Sequence, residues 1–141
     1  SSELVFFADH GGVTCLWGII TSDDLSYKYL SPSVQIADAC LTCSFDDIGA
    51  RYSYKLFCAQ NLRRGSLGYI GASSIALAHT HCWPDLNIIV TAKENRRFIP
   101  LLFAEEKELG TAYRDIYSGG SCYYYILGDP TFRIRASTSP A

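Results

Sequence analysis

Long runs of one charge and long apolar stretches are both absent from this chain. Only 18% of its 141 residues are charged, and 12 Lys and Arg against 14 Asp and Glu leave a net charge of −2. Proteins that bind nucleic acid or an anionic membrane surface normally carry a basic patch or run. A helix that spans a bilayer needs about 20 consecutive apolar residues, and the sequence contains no such stretch. We therefore expect neither nucleic acid nor a membrane as a partner.

Internal repeats and low-complexity linkers are absent as well. Hydrophobic residues make up 48% of the chain, which is typical of a folded domain with a core. The length suits one domain and is short for two. We predict a single domain over residues 1–141, with a flexible tail at 136–141. The chain opens almost directly on an apolar run without a secretory signal, which is typical of a piece of a longer protein.

The cysteines lack the regular spacing of a small disulfide-rich scaffold. We expect several of them to be small buried apolar residues, so the cysteine content leaves the redox compartment open. The six are Cys15, Cys40, Cys43, Cys58, Cys82 and Cys122.

Two short apolar runs each end near a side chain that can carry chemistry. Residues 4–8 lead to His10 and two glycines, and residues 34–37 lead through Asp38 to Cys40. Runs of this length that are bounded by turn residues are typical of buried strands. Neighbouring parallel strands lie about 5 Å apart, and open α/β sheets place their ligands at the carboxyl ends of the strands. As parallel neighbours, these strands would bring an imidazole and a thiol into one crevice, where they could perform nucleophilic catalysis.

The connection between the two runs predicts a loop that holds Trp17 and Gly18, and then a short helix. Ser22 suits the N-cap, and Asp23 and Asp24 suit the positive first turn of a helix that runs through Tyr29 and that Pro32 stops. The connection is long enough for a crossover between parallel strands.

A second helix and a third strand follow Cys40. Apolar residues recur at helical spacing over residues 48–62, and Gly65 suits the left-handed position after the helix. Residues 67–72 predict a strand whose glycines mark a close backbone approach.

The last part of the chain predicts more helix and then two strands. Residues 98–117 are mostly helical in pattern, with Pro100 near a helix start and Gly110 dividing the region. Residues 123–127 and 131–135 predict strands that are joined by a Gly-Asp-Pro turn.

Four of these segments together resemble the caspase-like cysteine peptidases, a family that includes caspases, legumains, separases, clostripain and gingipains. The first is the hydrophobic block that ends in His10-Gly11, followed after 30 residues by Asp38-Ala39-Cys40. The others are the Tyr-Ile-Gly-Ala segment at 69–72, the Leu-Gly-Thr-Ala segment at 109–112 and the Ile-Leu-Gly-Asp-Pro-Thr segment at 126–131. The order and spacing are most similar to the gingipain branch, and the resemblance covers nearly the whole chain.

The resemblance implies an α/β fold in which a mostly parallel sheet is flanked by helices in three layers, without the strands that precede the His block in the family. It implies His10 as the catalytic histidine and Cys40 as the nucleophile of a cysteine endopeptidase. The backbone N–H groups of Gly11 and Cys40 would form the oxyanion hole. No cofactor is implied; the partners would be a peptide or protein substrate and the missing N-terminal part of the parent protein, and the location would be extracellular or at the cell surface.

Other residues near these strand ends are weaker candidates. Asp9 and Asp38 could orient the site, although alternation along a strand could also point them elsewhere. The segment after the third strand is where a substrate pocket would be built. Its candidate residues are Ala72, Ser73, Ser74 and Trp83.

Two other functions fit the same residues. A catalytically silent domain of this fold could serve in binding or assembly. A zinc-binding module could use the Cys40-x-x-Cys43 pair with His79, His81 and Cys82, but a second pair at the usual spacing is absent, so no metal site is predicted.

Overall fold

The structure is a computed structural model that describes residues 3–8, 10–45, 55–73, 90–117 and 124–134. The predicted tail at 136–141 lies outside these residues. The strands are β1 (Glu3–Ala8), β2 (Gly11–Gly12), β3 (Cys15–Leu16), β4 (Ile20–Thr21), β5 (Ser33–Asp38), β6 (Gly68–Ala72) and β7 (Tyr124–Gly128). The helices are α1 (Ser22–Leu25), α2 (Phe57–Arg63), α3 (Val90–Phe103) and α4 (Leu109–Tyr117).

The main sheet is mixed and mostly parallel. Its four strands lie in the order β1-β5-β6-β7. The strands β1, β5 and β6 are parallel, and β7 runs antiparallel to β6. The predicted adjacency of the first two strands is therefore confirmed, and β1 pairs with β5 from Glu3↔Ser33 to Ala8↔Asp38. This register ends both strands at the same edge of the sheet.

Helices cover both faces of the sheet. As a result, β5 is buried along its whole length, and its side chains alternate between two cores. Val34 and Ile36 belong to the core that contains residues of α3 and α4. Ala37 belongs to the opposite core, which contains residues of α1, α2 and β3. The described residues thus form an α/β fold in which helices flank a mostly parallel sheet.

A small antiparallel sheet of β2, β3 and β4 follows β1 directly, where the sequence predicts only a loop. These strands have two residues each, which is too short for an alternating pattern to be visible in the sequence. Leu16 anchors this sheet in the core beside α2, where its side chain is 1% exposed.

The first helix differs from its prediction by one residue at its start and is shorter. Its N-cap is Thr21 and not Ser22, because the Thr21 hydroxyl accepts from the Asp24 N–H and the Asp24 carboxylate accepts from the Thr21 N–H. The helix ends after Leu25, while Tyr27 and Tyr29 are exposed.

The predicted helix over 48–62 is wrong at Leu56, which has the extended ψ of 130° and precedes α2. Residues 46–54 lie outside the described part of the chain. The Phe57 N–H donates to the Val13 carbonyl at 2.9 Å, so a contact with the β2–β3 turn helps to set where α2 starts. The predicted end is confirmed, since Gly65 has a φ of 117° directly after the C-cap.

Three further predictions are wrong in the C-terminal part. Gly110 does not divide the helical region, because α3 ends at Phe103 and Gly110 is the second residue of α4. Pro100 lies inside α3, which starts at Val90, and not near a helix start. The described residues after β7 do not continue as a strand over 131–134. Instead, the Asp129 carboxylate accepts from the Thr131 N–H at 2.8 Å and closes a local turn there.

Among the helices of the described residues, none is long and apolar enough to cross a membrane.

Candidate functional site

His10 and Cys40 follow the two parallel strands at the carboxyl edge of the main sheet. The last pair in the β1–β5 register is Ala8↔Asp38, and each candidate residue comes two positions later. His10 is exposed and Cys40 is partly buried, so both are within reach of solvent. The Trp17 N–H donates to the His10 carbonyl at 3.0 Å and fixes the backbone of this residue on the small sheet.

Gly11 packs directly against the loop that carries Cys40. A Cβ atom at this position would lie 2.7 Å from Ala39 Cβ, 2.7 Å from Thr42 Cγ2 and 2.9 Å from the Cys40 carbonyl oxygen. Distances this short leave no room for any side chain. The glycine is therefore required for the close approach of these two loops within the chain itself, a reason that the sequence alone does not reveal.

The backbone N–H of Gly11 points away from β3. Gly11 pairs with Leu16, and the Trp17 N–H bond to the His10 carbonyl flanks that pair. In an antiparallel ladder this pattern marks a pair whose own N–H groups face outwards from the shared ladder. The N–H of Gly11 is thus not part of the hydrogen bonds that hold the small sheet together.

The Cys40 loop is a tight turn held by hydrogen bonds on both sides. Leu41 has a φ of 58°, a left-handed conformation that is costly for a branched side chain. The Ser44 N–H donates to the Leu41 carbonyl at 3.1 Å, and the Cys43 N–H donates to the Ala72 carbonyl at 2.8 Å. Backbone strain of this kind is frequent at functional sites, where the surrounding structure enforces it. Sequence reasoning missed Leu41, since leucine carries no signal for this conformation.

Asp38 is buried at the end of β5, and its carboxylate bonds a tyrosine on β7, two strands away in the sheet. Its Oδ1 accepts a hydrogen bond from the Tyr124 hydroxyl at 2.7 Å, and the Tyr124 carbonyl accepts one from the Tyr113 hydroxyl. Its Oδ2 is buried without a hydrogen-bond partner among the described residues. The network joins β5, β7 and α4 beneath the candidate site.

The register explains how Tyr124 reaches Asp38. Tyr124 on β7 pairs with Ala72 on β6, and the adjacent β5–β6 register ends one residue earlier, at Ala37↔Gly71. Asp38, Ala72 and Tyr124 therefore lie in one row across the sheet. The small side chain of Ala72 leaves space for the tyrosine ring to cross β6.

The predicted pocket residues fall in different places. Ala72 is 1% exposed and belongs to the core on the α3–α4 side. Ser73 is partly buried at the end of β6. Ser74, Trp83 and the predicted orienting residue Asp9 lie outside the described residues. A pocket after the third strand and an orienting role for either aspartate therefore stay predictions.

Exposed aromatic side chains lie near the carboxyl edge of the main sheet. Trp17 is 65% exposed on the small sheet that follows His10. Phe45, after the Cys40 loop, and Tyr125, on β7, form an aromatic pair with ring centroids 6.0 Å apart. Their apolar surfaces could contact a peptide chain at this edge.

Cys43 does not face a shared metal site with Cys40. It is fully buried and hydrogen-bonds the thiol of Cys58 on α2, and that bond together with burial raises the pKa of Cys43. Within the described ranges, no group of three or more His, Cys, Asp or Glu side chains could hold a metal ion. The other expected zinc ligands, His79, His81 and Cys82, lie outside these ranges. Nothing in the described part favours the zinc hypothesis.

A scan of the chain against protein-family models found no matching family, and a search of curated proteins found no match either.

Proposed function

We propose that this chain is a caspase-like cysteine endopeptidase domain, most similar to the gingipain branch, which acts through His10 and Cys40. The observation that carries the proposal is the parallel β1–β5 register. Both strands end at the Ala8↔Asp38 pair, and the imidazole and the thiol each follow two residues later. Crevices at the carboxyl ends of parallel strands are where open α/β sheets bind their ligands. The family assignment itself rests on the sequence resemblance, which is an argument from analogy.

The chemistry requires a thiolate at Cys40, which a neighbouring imidazolium favours. The thiolate attacks the scissile carbonyl, the peptide C–N bond breaks, and a thioester acyl-enzyme forms. His10 donates the proton that the leaving amine takes up. It then accepts a proton from the water that hydrolyses the thioester, which releases the carboxylate product and the free thiol.

Two backbone donors would stabilise the oxyanion of the tetrahedral intermediate. The proposal assigns this role to the N–H groups of Gly11 and Cys40, and each such donor contributes about 3–4 kcal/mol to the transition state in well-studied cases. Two features support the assignment for Gly11. Its N–H points away from the small sheet, and its α-carbon is packed so tightly against the Cys40 loop that the two loops keep a fixed separation. Fixed donors are what this form of catalysis needs.

The main alternative is a catalytically silent domain of the same fold that serves in binding or assembly. It differs from the peptidase in one property that can be measured directly, the reactivity of Cys40 and its dependence on His10. The substrate preference is a separate matter, since residues 74–83 of the predicted pocket segment, which runs from Ala72 to Trp83, lie outside the described residues.

The proposal is tested by hydrolysis of a fluorogenic peptide library in which the residue before the cleaved bond is varied. We expect at least one library member to be cleaved. We expect Cys40→Ala to abolish cleavage and His10→Ala to reduce kcat/KM by about 10²–10⁴-fold, the usual contribution of a general acid–base.

Cys15→Ala is the matched control, because Cys15 is also partly buried and lies on the small sheet beside Gly12. This variant should cleave as the wild type does. A folded wild-type protein that cleaves no library member, or cleavage that survives Cys40→Ala, contradicts the peptidase proposal. The first of these outcomes favours the silent domain.

A further inference from the structure

Trp17 lies opposite His10 on the small sheet and has no role in the proposed reaction. The Trp17 N–H donates to the His10 carbonyl at 3.0 Å, and the next pair of the ladder is Gly11↔Leu16. Trp17 and His10 are therefore opposite each other where this antiparallel ladder continues past β2 and β3. Residues of a hydrogen-bonded antiparallel pair have α-carbons about 5.5 Å apart, and their side chains are on the same face of the sheet.

A second distance places the indole of Trp17 on that face. A Cβ atom at Gly12 would lie 3.5 Å from Trp17 Nε1. Since side chains alternate along a strand, position 12 shares its face with position 10. The indole thus lies over Gly12, and it is 65% exposed beside a histidine that is itself exposed. Its ring offers a large apolar contact to a molecule that reaches His10.

We propose that Trp17 forms the subsite for the side chain that follows the cleaved bond, and that it favours an aromatic or large aliphatic residue there. This inference rests on the proposed peptidase function and adds a substrate preference to it. In that reaction His10 donates a proton to the leaving amine, so the imidazole and the amine nitrogen come within hydrogen-bond distance. The residue that carries this nitrogen is therefore the part of the substrate nearest to Trp17.

The strand order separates the two sides of the substrate. Because the main sheet is ordered β1-β5-β6-β7, Cys40, after β5, lies between His10, after β1, and the exposed Tyr125 on β7. The scissile carbonyl must reach the thiolate of Cys40, and the leaving amine must reach His10. The leaving peptide thus lies on the β1 side, where Trp17 is, and the acyl part lies toward β6 and β7.

The contact with Trp17 should affect acylation alone. The leaving peptide departs before water hydrolyses the thioester, so peptides that differ only after the cleaved bond give the same acyl-enzyme. The preference should therefore be visible in kcat/KM, which includes the acylation step. An aromatic contact of this kind corresponds to about 3–10-fold in that constant.

The test uses internally quenched peptides that share one sequence before the cleaved bond, taken from the library member that the wild type cleaves best. The residue after the bond is phenylalanine, leucine, alanine or aspartate, and mass spectrometry of the products confirms which bond is cleaved. We expect a kcat/KM about 3–10-fold higher for the phenylalanine and leucine peptides than for the alanine peptide. Trp17→Ala should remove this preference, and Trp17→Phe should retain most of it.

Two controls separate a subsite from general damage to the protein. Tyr27→Ala removes another exposed aromatic side chain, 91% exposed in the loop after α1, and should leave the preference unchanged. A peptidyl acyloxymethyl ketone carries no amino acid on its leaving side. Its reaction with Cys40 should therefore proceed in Trp17→Ala at the wild-type rate.

Wild-type cleavage that is indifferent to the residue after the bond overturns the inference and leaves the peptidase proposal standing, and so does a preference that survives Trp17→Ala. Slower ketone labelling in Trp17→Ala also overturns it, because Trp17 would then support His10 or Cys40 and not a subsite. The absence of any cleavage by the wild type overturns the peptidase proposal and this inference with it.

Discussion

Replacement of Gly11 by alanine tests the packing of the His10 turn against the Cys40 loop. The added Cβ would lie 2.7 Å from Ala39 Cβ and from Thr42 Cγ2, and 2.9 Å from the Cys40 carbonyl oxygen. Carbon atoms that are not bonded normally stay about 3.5–4.0 Å apart, so the loops must separate by close to 1 Å. Two of the three contacts are with a Cβ atom and a backbone oxygen, which cannot turn away as the end of a flexible side chain can.

Overpacking of this kind usually costs about 1–3 kcal/mol of folding free energy. We therefore expect Gly11→Ala to lower the free energy of unfolding by that amount in urea denaturation. We also expect a changed rate of Cys40 alkylation in the native protein, because the loop that carries this residue has to move.

Gly12→Ala is the matched control for this experiment. A Cβ at Gly12 would lie 3.5 Å from Cys15 Sγ and 3.5 Å from Trp17 Nε1, which is ordinary contact distance. Its φ is not in the left-handed region, so alanine fits the backbone, and the substitution should cost less than about 0.5 kcal/mol. Equal stability and equal Cys40 alkylation in the two variants would refute the packing of these loops as described.

Three further predictions concern the core and the first helix. Tyr124→Phe removes the hydroxyl that donates to the buried carboxyl of β5, so we expect a loss of about 1–3 kcal/mol in urea denaturation; Tyr125→Phe, at a position that is 48% exposed, should change little, and equal losses would contradict the bond. Leu109→Ala removes a side chain that is 0% exposed between α4 and the sheet and should cost about 2–5 kcal/mol in the same assay, whereas a loss below 1 kcal/mol would place this residue outside the core. The hydrogen bonds from Thr21 lower the pKa of Asp24 below its usual value of 3.8. The cap of α1 should therefore be intact above pH 3.8 and be lost as the pH falls through the lowered pKa of Asp24. A titration of this carboxyl by NMR with a midpoint at or above 3.8 would show that the cap is absent.

The parallel strands could be predicted because each is a short apolar run that is bounded by turn residues. The run at 4–8 lies within β1 and the run at 34–37 lies within β5, so the sequence alone predicts the two strands that His10 and Cys40 follow. The segment at 67–72 likewise contains β6. A strand such as β5, which is buried along its whole length, leaves this signal in the sequence because most of its positions are apolar or small.

The errors arose where a contact distant in sequence decided the local structure. The spacing over 48–62 favours a helix that includes Leu56, yet Leu56 is extended, and the bond from Phe57 to Val13 begins the helix one residue later. Pro100 suggested a helix start, although helix α3 already runs for ten residues before it. Propensity describes only neighbouring residues, so it cannot anticipate such cases.

The geometry around the candidate site was similarly hidden. Nothing in a leucine predicts the positive φ of Leu41, which the surrounding loop contacts enforce. The bond between Asp38 and Tyr124 joins residues on β5 and β7, two strands apart in the sheet, and only the register of the intervening strand brings them into one row. The residue types of His10 and Cys40 indicate where chemistry could occur. The register of the sheet decides which side chains, such as Asp38 and Tyr124, bond to each other beneath them.

The most direct test of the account is the reaction of Cys40 with a peptidyl acyloxymethyl ketone, located by mass spectrometry in the wild type and in His10→Ala. A working pair predicts one dominant thioether adduct at Cys40, formed with loss of the acyloxy group, and a rate lower by about tenfold or more in the variant. Slow labelling that is spread over several cysteines, including Cys15, and unchanged by His10→Ala would contradict a catalytic role for these two residues.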